Sequence, residues 1–223
     1  MQPQTAVVLG ATGLIGGELV DQLLKDDTFT TVRILVRRPV ELMHPKLEIR
    51  VVDFNNQDDF KNKLGQGDCI FCCIGTTMKN VKGDKKLYRK IDHDIAVHAA
   101  QLGIAAGFTT YLLVSAVGAN ALSKNFYIGL KGETEKDVAA TGFKSLYIFQ
   151  PSFLLGNRKK FRFTEVMLKG VFKGISKLFS GSLTKYKAIE AADVAKAMMT
   201  AAKKSETGTH IYTFKEMMRQ EKL

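Results

Sequence analysis

The residues that most directly suggest chemistry are three glycines in Gly10-Ala11-Thr12-Gly13-Leu14-Ile15-Gly16, which follow the apolar run Ala6–Leu9 and open a helical pattern. A side chain at Gly10 or Gly13 would hold a diphosphate away from backbone N–H groups, and Gly16 lets helix and strand approach closely. Strand before and helix after are the context in which such a triplet binds a dinucleotide; Thr12, Leu14 and Ile15 complete the loop. The second apolar run, Val32–Val36, ends in Arg37-Arg38-Pro39, with no carboxylate before Glu41. A site for NAD places a carboxylate there for the ribose hydroxyls, whereas two arginines suit a 2′-phosphate, so NADP(H) is favoured over NAD(H). Asp53, after the third run, can accept from an adenine amino group. Gly75-Thr76-Thr77, after the fourth, offers a second close backbone approach.

These residues need a parallel sheet to position them, and the chain has the required alternation. Short apolar strands are expected at Ala6–Leu9, Val32–Val36, Leu47–Val52, Cys69–Cys73, Tyr111–Ser115 and Leu146–Phe149. Helices are expected at Leu14–Leu24, Asp58–Leu64, Lys86–Leu102, Lys124–Ala140 and Glu190–Lys203. This is an α/β, doubly wound Rossmann-type parallel sheet with helices on both faces. The 223 residues, 45% of them hydrophobic, make one domain without a disulfide framework. Residues 150–187 break the alternation and are expected to form a small substrate-side lobe or lid on the same domain. The chain starts on an apolar strand without a leader pattern and holds three cysteines, which suggests the cytoplasm.

The sequence resembles the short-chain dehydrogenase/reductase superfamily, in its atypical branch, and within it the Tat-interacting oxidoreductase family. The resemblance rests on the glycine loop, Val51-Val52-Asp53-Phe54, Phe71-Cys72-Cys73-Ile74-Gly75-Thr76-Thr77, Asp92, Ser115, Tyr127-x-x-x-Lys131-Gly132-Glu133 and Phe149-Gln150-Pro151. Ser152 stands where the family tends to have glycine. The resemblance implies NADP(H)-dependent hydride transfer to or from a carbonyl or alcohol, with Tyr127 as acid/base and Lys131 as the ammonium that lowers the phenol pKa and holds the nicotinamide ribose. It implies Ser115 as the group orienting the substrate oxygen, and Phe54, Pro151, Ser152 and Phe153 as further cofactor contacts. Asp92 falls where relatives keep Asn or Asp, with a structural bond as plausible a role as chemistry. Two other readings stay open: a regulatory protein that binds NADP(H) without turnover, and an isomerase or epimerase that retains its cofactor.

The net charge of +11 belongs to the second half: residues 1–111 carry 14 basic and 13 acidic side chains, residues 112–223 carry 19 and 9. Within 158–187, nine cations face only Glu165, a field that favours anionic ligands, with a solvated surface that aids solubility as the other reading. Inside it, Phe163–Phe179 reads as a basic amphipathic helix, a lid over the nicotinamide, with a membrane surface and a lipophilic substrate as the lesser reading. No DNA- or RNA-binding signature accompanies the charge, so nucleic acid is not an expected partner. The protein is expected to be a monomer or homodimer. Cys69 and Cys72, though spaced Cys-x-x-Cys, fall on a strand where positions three apart face opposite ways, so they read as apolar fillers. The four histidines lack metal-ligand spacing, and no metal is assigned.

Overall fold

The computed structural model describes residues 4–156, 181–204 and 206–219. Its strands are β1 (Gln4–Leu9), β2 (Phe29–Val36), β3 (Leu47–Val51), β4 (Cys69–Cys72), β5 (Thr110–Val114), β6 (Ser145–Phe149), the two-residue β7 (Leu154–Leu155) and β8 (Ile189–Glu190), and β9 (Gly208–Tyr212). All but β7 and β8 join one parallel sheet in the order β3-β2-β1-β4-β5-β6-β9. The helices are α1 (Leu14–Lys25), α2 (Gln57–Leu64), α3 (Lys85–Arg89), α4 (Ile95–Ala105), α5 (Phe126–Ala139), α6 (Ala191–Lys204) and α7 (Phe214–Arg219). A single π turn, Lys90–Asp94, joins α3 to α4.

Side chains alternate across each strand, so every apolar run feeds two cores. Ala6, Val8, Cys69, Phe71, Leu112 and Tyr147 pack with Leu19 and Leu23 of α1 and Val194 and Met198 of α6. Val7, Leu9, Ile70, Cys72, Leu113 and Ile148 pack on the other face with Phe60 of α2, Ala99 of α4 and Val138 of α5. Burying a Leu or Phe completely contributes about 1.5–3 kcal/mol, and burial on both sides is what makes these short runs strands. Cys69 and Cys72 lie in opposite cores, as the strand period requires, and burial raises both thiol pKa values. They are fillers and not a redox pair.

Winding reverses between β1 and β4, and doubly wound sheets bind ligands in the crevice beyond the strand ends at such a point. The six expected strands and five helices are all present, with ends moved by one to three residues. The two-residue β7 and β8, the edge strand β9 and the short α7 go beyond that expectation. β7 pairs with β8 in a separate two-stranded sheet, Leu154 opposite Ile189 and Leu155 opposite Glu190. The basic stretch Phe163–Phe179 and the cations from Arg158 to Lys177 lie outside the described residues.

Candidate cofactor cleft and active site

Gly10 has φ +82°, and a Cβ built on it would stand 2.6 Å from both the carbonyl carbon and oxygen of Cys73. Only glycine fits this turn, which holds the ends of β1 and β4 together. A Cβ on Gly16 would run into the Gly10 carbonyl oxygen, so close helix–strand packing also forbids a side chain there. Gly13 caps α1 with no side-chain hydrogen bond and no acid in the first turn, whereas Asn56, Asp84 and Asn125 cap α2, α3 and α5 with side-chain oxygens. The opening turn of α1 therefore presents N–H groups without intrahelical or side-chain partners, the arrangement that receives a diphosphate. Leu14 packs beside Gly156 and Ile15 is buried, so both offer a ligand their backbone only.

Gly10, Thr12, Gly13, Arg37, Phe54 and Gly75 line one cleft at this end of the sheet. A second, of about 680 Å³, shares Arg37 and Phe54 and adds Arg38, Asp53, Lys90 and His98. Arg37 and Arg38 are both exposed. Asp53 is engaged locally: its Oδ1 accepts from the Asn55 N–H and Nδ2, each at 2.9 Å. Gly75 has neither a positive φ nor a clash, because a Cβ there would come no nearer than 3.8 Å to Asp92. Nothing in the chain itself requires glycine at 75, and the space fits a ligand passing close to the backbone. Thr76 is committed elsewhere, its N–H donating to Asp92 Oδ1 at 2.6 Å and its carbonyl accepting from the Tyr88 hydroxyl at 3.0 Å. Thr77 Oγ1 accepts from the Asn80 N–H. Lys90, which the sequence reading missed, adds a cation to the cleft.

On α5, Tyr127, Lys131 and Glu135 follow one another at intervals of four and share a face. Gly132 holds this helix against a loop: a Cβ there would lie 2.6 Å from the Asn120 nitrogen. The Lys131 ammonium meets the Asp92 carboxylate at 3.0 Å, with the two side chains 7% and 1% exposed. Burial alone would lower the lysine pKa, but Asp92 and Tyr127 more than offset it, and the ammonium stays charged. Asp92 thus carries the structural bond to the β4 loop and the ion pair to Lys131 at once, from a π turn, a distortion frequent at functional sites.

Lys131 lowers the phenol pKa of Tyr127 as expected, but desolvation by the surrounding protein, the largest cause, and the Asp92 charge leave it on the raised side, although the residue is 40% exposed. Ser115, just after β5 and 6% exposed, donates its hydroxyl hydrogen to Glu135 Oε1. Gln150 Nε2 donates to both oxygens of that carboxylate, at 2.9 and 3.1 Å. Burial raises the Glu135 pKa, against the lowering by Ser115, Gln150 and Lys131. Glu135 was missed by the sequence reading, although its four-residue spacing from Lys131 was legible. Pro151 and Phe153 are held by backbone bonds to Val117 and Ile189, and the Ser152 hydroxyl donates to the Lys187 carbonyl.

Comparison with known proteins agrees with this architecture. A family model described as NAD(P)H-binding matches residues 10–205. The HTATIP2 protein of Rattus norvegicus is 31% identical over 77% of this chain and 72% of its own length. FMP52-1, mitochondrial, of Scheffersomyces stipitis is 30% identical over 90% of this chain and 89% of its own. Among solved structures, the UDP-N-acetylglucosamine 4-epimerase from Methanobrevibacter ruminantium, in complex with UDP-N-acetylmuramic acid, superposes with a TM-score of 0.67 at 15% identity, covering 96% of this chain and 77% of the epimerase. Glycine loop, strand order, the Tyr127–Lys131 helix and these matches agree: the chain belongs to the NAD(P)H-binding family, as an atypical short-chain dehydrogenase/reductase with a Rossmann-type sheet.

Proposed function

We propose that the protein is an NADP(H)-dependent oxidoreductase acting on a carbonyl or alcohol. The observation that carries this reading is the buried Lys131–Asp92 pair. Asp92 also holds the Thr76 amide, so a fixed ammonium stands where the β4 loop of the cofactor cleft meets the helix bearing Tyr127. A buried pair contributes little net stability and is weak as a structural device.

The residues fit the cofactor. The open first turn of α1 would take the diphosphate, Arg37 and Arg38 the 2′-phosphate, and the backbone at Gly75 and Pro151–Phe153 the nicotinamide side. Bound NADP(H) would supply or accept the hydride. Tyr127 would give a proton to the substrate oxygen or take one from it. Lys131, charged throughout, works against the rise in the phenol pKa and stabilises the phenolate once the proton has left. Ser115 would orient the substrate oxygen. An anionic or lipophilic small molecule is the expected substrate.

Nucleotide titration followed by fluorescence tests the reading. We expect NADPH to bind at least tenfold more tightly than NADH, and Arg37→Ala with Arg38→Ala to erase the difference. A tenfold preference for NADH would overturn the arginine assignment, and no affinity for either nucleotide at millimolar concentration would overturn the function. Tyr127→Phe should bind NADPH normally and lose about 100-fold or more in turnover. An epimerase, the activity named for the Methanobrevibacter ruminantium protein, would here use the same cleft with a retained cofactor and show no net change in nicotinamide absorbance. Among the described residues no helix is long and apolar enough to cross a membrane. We place the protein in the cytoplasm; fractionation decides between that and the mitochondrion in the name of the Scheffersomyces stipitis relative.

A further inference from the structure

Three side chains from three elements meet behind the catalytic face: Ser115 after β5, Glu135 on α5 and Gln150 after β6. Gln150 is fixed, its backbone N–H donating to the Tyr212 carbonyl at 2.8 Å, and towards Glu135 its amide nitrogen can only donate. A serine hydroxyl has one hydrogen. While Glu135 is ionised, that hydrogen points at the carboxylate, and Ser115 can offer a substrate oxygen nothing but lone pairs. A transition state that builds negative charge on that oxygen needs a donor, whichever way the hydride moves.

We propose that Glu135 is a positioning residue that switches Ser115. With a proton on Oε1, Glu135 donates to the Ser115 oxygen and frees the serine hydrogen for the substrate; without it, Ser115 is turned away. The proton is not consumed, since the substrate oxygen exchanges its proton with Tyr127 and its carbon exchanges hydride with the nicotinamide. Lys131, on the same helix, is the one charged group acting on Glu135 among the described residues, and Asp92 partly neutralises it. Ser115 and Gln150 are the partners from the other elements, and neither is charged. Burial opposes ionisation and raises the Glu135 pKa above the ordinary glutamate value. The inference rests on the oxidoreductase reading for its use of Ser115, but the state of Glu135 can be read without turnover.

Carbon-13 NMR of protein labelled at glutamate carboxyls, with the Glu135 signal assigned by its loss in Glu135→Gln, should show a midpoint clearly above the ordinary glutamate value of about 4.3. Ser115→Ala should raise that midpoint further, because the serine bond favours the carboxylate. With benzaldehyde and NADPH as the probe pair, wild-type kcat/KM should fall about tenfold per pH unit above the midpoint. Glu135→Gln, which has no carboxyl to titrate, should lack this falling limb and give a flat profile across that range. An ordinary or lowered midpoint overturns the switch whatever the turnover, and so does a falling limb that survives in Glu135→Gln. A raised midpoint coupled to Ser115 in a protein that transfers no hydride instead overturns the oxidoreductase reading.

Discussion

The two halves of the cleft are built on opposite principles. The cofactor half, from β1 to the loop after β4, is made by leaving things out: side chains at Gly10 and Gly75, and a side-chain cap at α1. The α5 half is made by filling in. Lys131 is committed to Asp92, Ser115 to Glu135 and Glu135 to Gln150 before any ligand arrives. The first region can hold an anion with no rearrangement, because its donors are backbone groups with nowhere else to turn. The second must trade internal partners for substrate, and this makes its protonation states decisive.

Asp92→Ala should have the largest effect, since it strands a buried ammonium and frees the Thr76 amide together. Breaking a buried pair costs about 3–5 kcal/mol, read as a lower urea midpoint with unchanged slope. Combining Asp92→Leu with Lys131→Met should recover much of that stability without recovering turnover. If Asp92→Ala loses less than about 1 kcal/mol, the filled half is not held as described.

Gly10→Ala and Gly75→Ala separate the reasons for glycine within the cofactor half. At Gly10 the positive φ alone costs about 1–3 kcal/mol, and the overlap with Cys73 adds to it. Stability and NADPH affinity should therefore fall together. At Gly75 a methyl has room in the chain itself, so stability should hold within about 0.5 kcal/mol while NADPH affinity falls roughly tenfold. Equal stability losses at the two positions would mean that Gly75 is structural and that the ligand does not pass there.

This contrast also explains what could be read from the chain. The glycine loop, the β1 to β6 runs and Tyr127-x-x-x-Lys131 are local patterns, and local patterns survive in one dimension. β9 was not foreseen because Gly-Thr-His-Ile-Tyr is an edge strand with a single fully buried side chain, Tyr212, and so shows no continuous apolar run. The partner of Lys131 lies 39 residues earlier on a π turn, and no spacing rule reports that. Glu135 was legible as the third member of a four-residue series, but its bond to Ser115 depends on how α5 docks against the end of β5. The net direction of the Tyr127 shift was hidden for a related reason: a lysine four residues on is visible in sequence, whereas the desolvation by neighbouring elements and the Asp92 charge that oppose it are not.

A milder change far from both halves tests whether the framework beneath them is independent of the cleft. Asp26 follows α1 and accepts from the Thr28 N–H at 3.0 Å, and its other oxygen pairs with Lys203 at the end of α6. Burial raises its pKa, but Lys203 and Thr28 more than compensate, so the folded value lies below the ordinary one. Such a group stabilises the fold above its unfolded pKa of about 3.9 and loses that contribution as pH falls through the lower folded value. Asp26→Asn should therefore lower Tm by about 2–4 °C at pH 7, the equivalent of about 1 kcal/mol in a chain of this size, with NADPH affinity unchanged. The gap from wild type should close once the pH is below the folded pKa. A gap that persists in acid would assign the loss to the hydrogen bonds around Asp26 and not to its charge. A change in NADPH affinity would show that the seam between α1 and α6 reaches the opening turn where the diphosphate is expected to sit.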